Sequence, residues 1–200
     1  MKPVVQPLTE TGRIQALTDG VYAIAMTILI LNLHVPQVAQ SGPDLIHALW
    51  GISSLFTNFV ISFLLLAIFW VVHHQHFYHI KRADTKLLWI NIFSLLFVVL
   101  IPFTTSVYGE YPGLTVAAIF FEANILVLGL IKYVQWSYAT TDRRLVDPDL
   151  DQAIIDQSKR LGLVTPAVSV VAIGAAFISP DWSTLTFLSI PFIIRLARRL

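Results

Sequence analysis

Apolar residues run in blocks of about twenty, interrupted by short polar stretches, and each block is long enough to cross the roughly 30 Å of a bilayer's hydrocarbon as a helix. Reading the blocks against their breakers predicts a first helix over 13–35, ended by Pro36, and a second over 49–72, ended by a histidine cluster. A third covers 87–108, a fourth 114–133, a fifth 161–178 and a sixth 182–196. The sixth is short for a span, so its terminal arginines are expected to snorkel toward the headgroups. Pro102, Pro166 and Pro191 fall within these runs and are expected to kink the third, fifth and sixth helices. The stretch over 140–160, with Asp147, Pro148, Asp149 and Asp151, reads as a solvated connector of mixed charge that opens a short surface helix. The expected architecture is a single all-α membrane domain over 1–200 with six transmembrane helices.

Composition agrees with that class: 56% of residues are hydrophobic and 12% are charged, against about 25% charged in soluble domains. A net charge of +1 excludes a strongly basic nucleic-acid surface, so nucleic acid is not an expected partner. With no cysteine there is no disulfide framework and no thiolate nucleophile. The polar start, with Lys2, followed by an apolar run containing Asp19, does not resemble a cleaved signal peptide.

The basic residues decide orientation. With six spans and the N-terminus inside, all 13 Lys and Arg fall on one side, Lys132 among them, and Asp44, Glu110 and Asp181 fall on the other. That asymmetry places both termini in the cytoplasm, with the chain in the cell's inner (plasma) membrane.

The first segment carries the most specific chemistry. Arg13 and Asp19 stand at its start, and charge inside a span is costly enough to imply a role. At about 100° per residue they point too far apart to pair, so their partners come from another helix or another subunit. On the same wheel Ile24, Ile28 and Leu31 make one branched apolar stripe with Thr27 beside it. Ala16, Gly20, Ala23 and Thr27 make a small-residue ridge that allows close helix approach. Periodicity alone reads such a stripe as lipid-facing or core and does not show a pore.

Arg13-Ile-Gln-Ala-Leu17-Thr18-Asp19 resembles the Arg-x-x-x-Phe-Ser-Asp signature that opens the first helix of the transmembrane protein 175 family of potassium channels, and the chain is similar to its prokaryotic members. Phe69-Trp70-Val-Val-His73-His74 and Asn91-Ile-Phe-Ser leading to Pro102-Phe103-Thr104-Thr105 and Gly109-Glu110 resemble the same family in the right order. Leu17 and Thr18 depart from the signature but keep size class and hydroxyl. The resemblance implies a homotetramer in the lipid bilayer with the first helix lining a central pathway for potassium. It further implies a constriction of apolar side chains, which carries over to Ile24, Ile28 and Leu31 with Thr27 nearby. Arg13, Leu17, Thr18, Asp19 and His73 then form a network that orients the pore helix. No Thr-Val-Gly-Tyr-Gly filter occurs, and no cofactor is expected beyond the permeant K+.

Two constellations stand outside this reading. His73, His74, His76 and His79 are dense enough for a metal site, but without a cysteine or paired carboxylate an interfacial cluster is the expectation. Glu122 falls within the fourth segment, near the expected midplane, where it either bonds Asn124 or a neighbouring helix while protonated or carries protons in a transport cycle. The second case makes the chain a proton-coupled secondary transporter, the alternative to a channel. No nucleophile elbow, phosphate loop or His-Glu-x-x-His occurs, so an enzyme is not expected.

Overall fold

The computed structural model describes residues 11–35 and 42–198, all helix, turn and connector apart from one isolated bridge. Pro36, Lys2 and Arg199, which entered the expected helix end and the charge count, lie outside the described residues. Helix α1 spans Thr11–Ile28 and tightens into a 3-10 turn over Leu29–Asn32. A short α2 (Gly42–Gly51) leads into α3 (Ser53–His79), followed by α4 (Thr85–Glu110) and α5 (Thr115–Thr140). Helices α6 (Gln152–Gly162) and α7 (Val164–Ala176) follow almost end to end. The described chain closes with α8 (Pro180–Ser183), a 3-10 stretch over Thr184–Ser189 and α9 (Ile190–Ala197).

Five helical stretches are long and apolar enough to cross a membrane, α6 and α7 counting together as Gln152–Ala176. The expected sixth helix is instead broken into three pieces. Its serines and threonines turn back on the backbone three residues earlier: Thr186 Oγ1 donates to Ser183 O, and Ser189 Oγ to Thr186 O, both at 2.6 Å. That spacing suits 3-10 geometry and competes with a continuous α-helix.

Local signals explain most other boundaries. Asp84 caps α4, its carboxylate accepting from Leu87 N at 2.8 Å, and Asp151 caps α6 by accepting from Ala153 N at 2.9 Å. Lys159 and Arg160 sit in the last turn of α6, where the helix dipole favours cations. Pro102 lies inside α4 as expected, whereas Pro166 stands in the first turn of α7 and Pro191 at the start of α9. In a first turn the missing N–H has no partner to lose, so these two prolines begin helices instead of bending them. Helices α3 and α5 run about two turns past their expected ends, through the histidines to His79 and through Gln135 and Trp136 to Thr140.

The core is built around α5, which packs on α4 and α7 and buries Phe121, Ile125 and Leu128 against Leu66, Ile101 and Ala172. A second cluster joins Ile14 of α1 to Phe77, Ile80, Leu87 and Trp136. Into it tuck Leu145, Val146, Leu150 and Ile155, all buried, from the stretch expected to be a solvated connector. Lys81 N and Arg82 N both donate to Leu145 O, at 2.9 and 3.2 Å, and Ile80 pairs with Val146 in an antiparallel bridge. The connector is therefore a lid on the basic end of the bundle, held by apolar burial that its acidic neighbours conceal in the sequence.

Helices α5 and α7 touch most closely at Gly129, where an added Cβ would stand 3.0 Å from Pro166 Cδ and 3.2 Å from Pro166 Cγ. Gly129→Leu is expected to destabilise the protein by about 1–3 kcal/mol through overpacking, read as a lower unfolding temperature in detergent.

Candidate functional site

Helix α1 is sharply two-faced within the protomer. Ile14, Thr18, Tyr22, Ala25 and Leu29, spaced by three or four residues, are buried against α3 and α4. The opposite face carries Ile24 at 60% exposure, Ile28 at 43% and Leu31 at 68%, with Leu17 also exposed. Ala16, Gly20, Ala23 and Thr27 share this uncovered side, so the small-residue ridge and the branched stripe form one ribbon. Thr27 Oγ1 donates back to the Ala23 and Ile24 carbonyls at 3.0 and 2.9 Å. That arrangement uses the hydroxyl proton on the helix and leaves the oxygen's lone pairs outward. Behind the ribbon, a cavity of about 150 Å³ lined by Val21, Ile24, Ala25, Ile28, Val99 and Pro102 separates α1 from α4. It gives the two isoleucines room to change rotamer.

Both ends of the stripe are anchored by polar bonds to other helices. At one end Asp19 accepts a hydrogen bond from Trp70 Nε1 of α3 at 2.8 Å. At the other, Asn32 Nδ2 donates to Pro102 O at 3.1 Å. Arg13 and Asp19 do not pair with each other, as their angular separation required, and Asp19 finds its partner on another helix. The partner is Trp70 and not His73, because Trp70 lies on the exposed flank of α3 beside α1 while His73 turns into the bundle.

The network that joins α1 to the bundle runs instead through Thr18. Thr18 Oγ1 accepts from Asn91 Nδ2 at 3.0 Å, and Asn91 Oδ1 accepts from Gln135 Nε2 at 3.1 Å. Lys132 Nζ donates to Gln135 Oε1 at 3.5 Å and to Ser94 Oγ at 3.2 Å, and lies 3.4 Å from His73 Nδ1. Ser94 Oγ closes the set by donating to Asn91 O at 2.8 Å. The Lys132 ammonium also faces the Tyr22 ring, 5.9 Å from its centroid. Every one of these groups is buried, so Lys132 is part of the bundle's core and not the exposed charge that a charge count takes it for. Asn91 entered only through the family resemblance, while Ser94, Lys132 and Gln135 were not singled out as site residues. The available signal was their pairing at i, i+3 inside apolar segments, Asn91 with Ser94 and Lys132 with Gln135.

The histidines divide rather than cluster. His73 and His76 are buried, with ring contacts to Phe77 and Trp136 respectively, whereas His74 is exposed and His79 half-buried. The expected interfacial group is thus partly core, because α3 continues past the predicted end and carries alternate histidines inward. Glu122 is fully buried, and neither carboxylate oxygen makes a well-formed hydrogen bond among the described residues, the Ser183 hydroxyl being its polar neighbour. Asn124, its expected partner, directs its amide to Phe97 O and Thr104 Oγ1, at 3.3 and 3.4 Å. Glu122 is also not at mid-helix: it stands in the second turn of α5, roughly 10 Å from the start of a helix about 39 Å long.

Asn91→Leu is expected to strand Thr18 and Gln135 at once and to cost about 1–3 kcal/mol per orphaned group, measured as loss of thermal stability in detergent.

Comparison with known proteins bears on these motifs directly. Residues 13–102 match the family model described as endosomal/lysosomal potassium channel TMEM175. A protein of Streptomyces collinus named a potassium channel is 33% identical over 177 residues, spanning 86% of this chain and 85% of its own length. Another so named, from Chamaesiphon minutus, is also 33% identical over 177 residues, spanning 86% of each. A crystal structure described as a lysosomal potassium-selective channel TMEM175 homolog from Chamaesiphon minutus superposes with a TM-score of 0.80 at 29% identity, covering 93% of this chain and 96% of that one. With its motifs on α1, α3 and α4 of a matching helical bundle, this multi-pass membrane chain belongs to the TMEM175 family of ion channels.

Proposed function

We propose that the chain is a potassium-selective cation channel, a homotetramer in which α1 of each subunit lines a central pore and Ile24, Ile28 and Leu31 form the constriction. The observation that carries this reading is the uncovered ribbon on α1, apolar at Ile24, Ile28 and Leu31, small at Ala16, Gly20 and Ala23, and pinned by Asp19 and Asn32 to helices behind it. A ribbon that faced lipid has no need of small residues or of a carboxylate at its edge. A ribbon that faces its own copies around a closed symmetry axis uses both. Potassium as the permeant ion is supported by the names of the Streptomyces and Chamaesiphon relatives, which align with most of this chain over most of their own length.

Four isoleucines about an axis make a dry constriction that a cation crosses only when the ring dilates or the ion sheds water. Potassium holds its hydration shell less strongly than sodium, so the ring favours it without chelating it. The cavity behind Ile24 and Ile28 supplies the space for dilation. Thr27 places a hydroxyl oxygen beside the ring, where it holds water against the passing ion. The broken segment from Pro180 to Ala197 completes a sixth crossing: its pieces reach roughly 30 Å if collinear, enough for the hydrocarbon layer. Six crossings place both termini in the cytoplasm of a cell whose inner membrane holds the channel.

The transporter alternative rests on Glu122, whose buried carboxyl, without a well-formed hydrogen bond among the described residues, is suited to carrying a proton. It is disfavoured because Glu122 lies on the core face of α5, away from the α1 ribbon.

Reconstituted protein is expected to run as a tetramer in detergent and to give unitary potassium currents in planar bilayers. Ile24→Ala is expected to lower the potassium-over-sodium permeability ratio by roughly tenfold, about 1.4 kcal/mol of discrimination, read from the reversal potential in mixed salts. Thr27→Val is expected to reduce the same ratio with less effect on conductance. Glu122→Gln should leave currents independent of a proton gradient; flux that vanishes in this variant and saturates at carrier-like rates would sink the channel reading.

A further inference from the structure

A cavity of about 70 Å³ lies between α3, α5, α6, α7 and α9 at the basic end of the bundle, and neither the α1 ribbon nor Glu122 lines it. Its charged and titratable wall includes His76, Lys132 and Arg198, neutral polar groups such as Gln75, Ser158 and Thr165 stand beside them, and no carboxylate lines it among the described residues. His76 is buried, stacks on Trp136 at 4.5 Å between ring centroids, and its Nδ1 has no hydrogen-bond partner. Lys132 is buried as well, and the partners of its ammonium are a hydroxyl, an amide oxygen, an imidazole and an aromatic ring, all neutral groups or groups able to be neutral. A lysine and an arginine with no compensating acid among the described residues make the cavity electropositive, and the His76 imidazole forms part of its wall. Ile68, Leu161 and Ile194 form the apolar remainder of the wall.

We propose that this cavity binds the phosphate group of an anionic phospholipid. Arg198 at the end of α9 pairs with the phosphate, the His76 imidazole contributes a ring N–H from the wall, and Lys132 supplies positive potential from within the bundle. The acyl chain lies against Ile68 and Ile194. Charge decides the ligand's polar part: a phosphate matches the forked Arg198 guanidinium and the positive wall. Occupancy ties α9 to α3 and α5, the helices that carry the buried network behind α1. A free phosphate ion offers the same chemistry without the chain, and the site's apolar flank is the reason to favour the lipid.

The test uses the full-length protein in two arms. After reconstitution in phosphatidylcholine vesicles with or without phosphatidylglycerol and re-extraction, retained lipid is counted by native mass spectrometry and the unfolding temperature is measured. Phosphatidylglycerol should be retained in preference to phosphatidylcholine and should raise the unfolding temperature. In Arg198→Gln, an exposed position, and in His76→Phe, which keeps the ring against Trp136, retention should fall by roughly tenfold, while Arg198→Lys restores part of it. In the second arm inorganic phosphate is added to delipidated protein; stabilisation by phosphate that is lost in the same variants, with no preference between lipids, assigns the site to the free anion. Equal retention of both lipids by wild type and variants, with no response to phosphate, overturns the proposal.

Discussion

In hydrocarbon there is no water to satisfy a polar group, so one inside the bundle is costly unless its own helix or a neighbouring one supplies a partner. The rest of this structure depends on how that constraint is met between Thr18 and Lys132. Thr18 on α1, Asn91 and Ser94 on α4, Gln135 and Lys132 on α5 and His73 on α3 form one hydrogen-bonded chain across four helices. A shifted register of any of the four would leave several groups unsatisfied together. Polar bonding here does what apolar packing cannot do in lipid: it fixes rotation and depth, because one leucine is as well solvated by acyl chains as by another leucine.

Fixing the rotation of α1 has a direct consequence for the ribbon on its far side. With Tyr22, Ala25 and Leu29 committed to the core and Thr18 to Asn91, Ile24, Ile28 and Leu31 are obliged to point away from the protomer. Asp19 and Asn32 hold the two ends by bonds to α3 and α4. A channel whose constriction is hydrophobic requires such indirect support, since its narrowest side chains make no polar bonds that could position them. In the proposed tetramer the precision of the ring comes from the opposite face of the helix.

The basic end of the bundle joins this support to the cytoplasmic connectors of the proposed topology. Ile14 at the start of α1 packs with Trp136, Leu145, Val146 and Ile155, so the segment between α5 and α7 touches the base of α1. Trp136 in turn stacks on His76, which lines the electropositive cavity. Packed cores shift between discrete arrangements rather than deforming smoothly, so events at this end have a mechanical route to α1.

The sequence by itself determined the membrane class, the positions of the apolar segments and, through three motifs in order, the family. Those properties are local or additive: hydropathy sums over a window, and a motif is read within a turn or two of helix. It also marked Ile24, Ile28 and Leu31 as one stripe, though not which way the stripe faces. Tertiary structure alone decided that Asp19 meets Trp70 and not His73, that Lys132 is core and not a surface charge, that Glu122 and Asn124 part company, and that the last segment breaks. Each of these rests on contacts between residues dozens of positions apart or on backbone bonds that compete with the helix. Periodicity along the chain records which residues share a face; what that face meets is set only when helices pack.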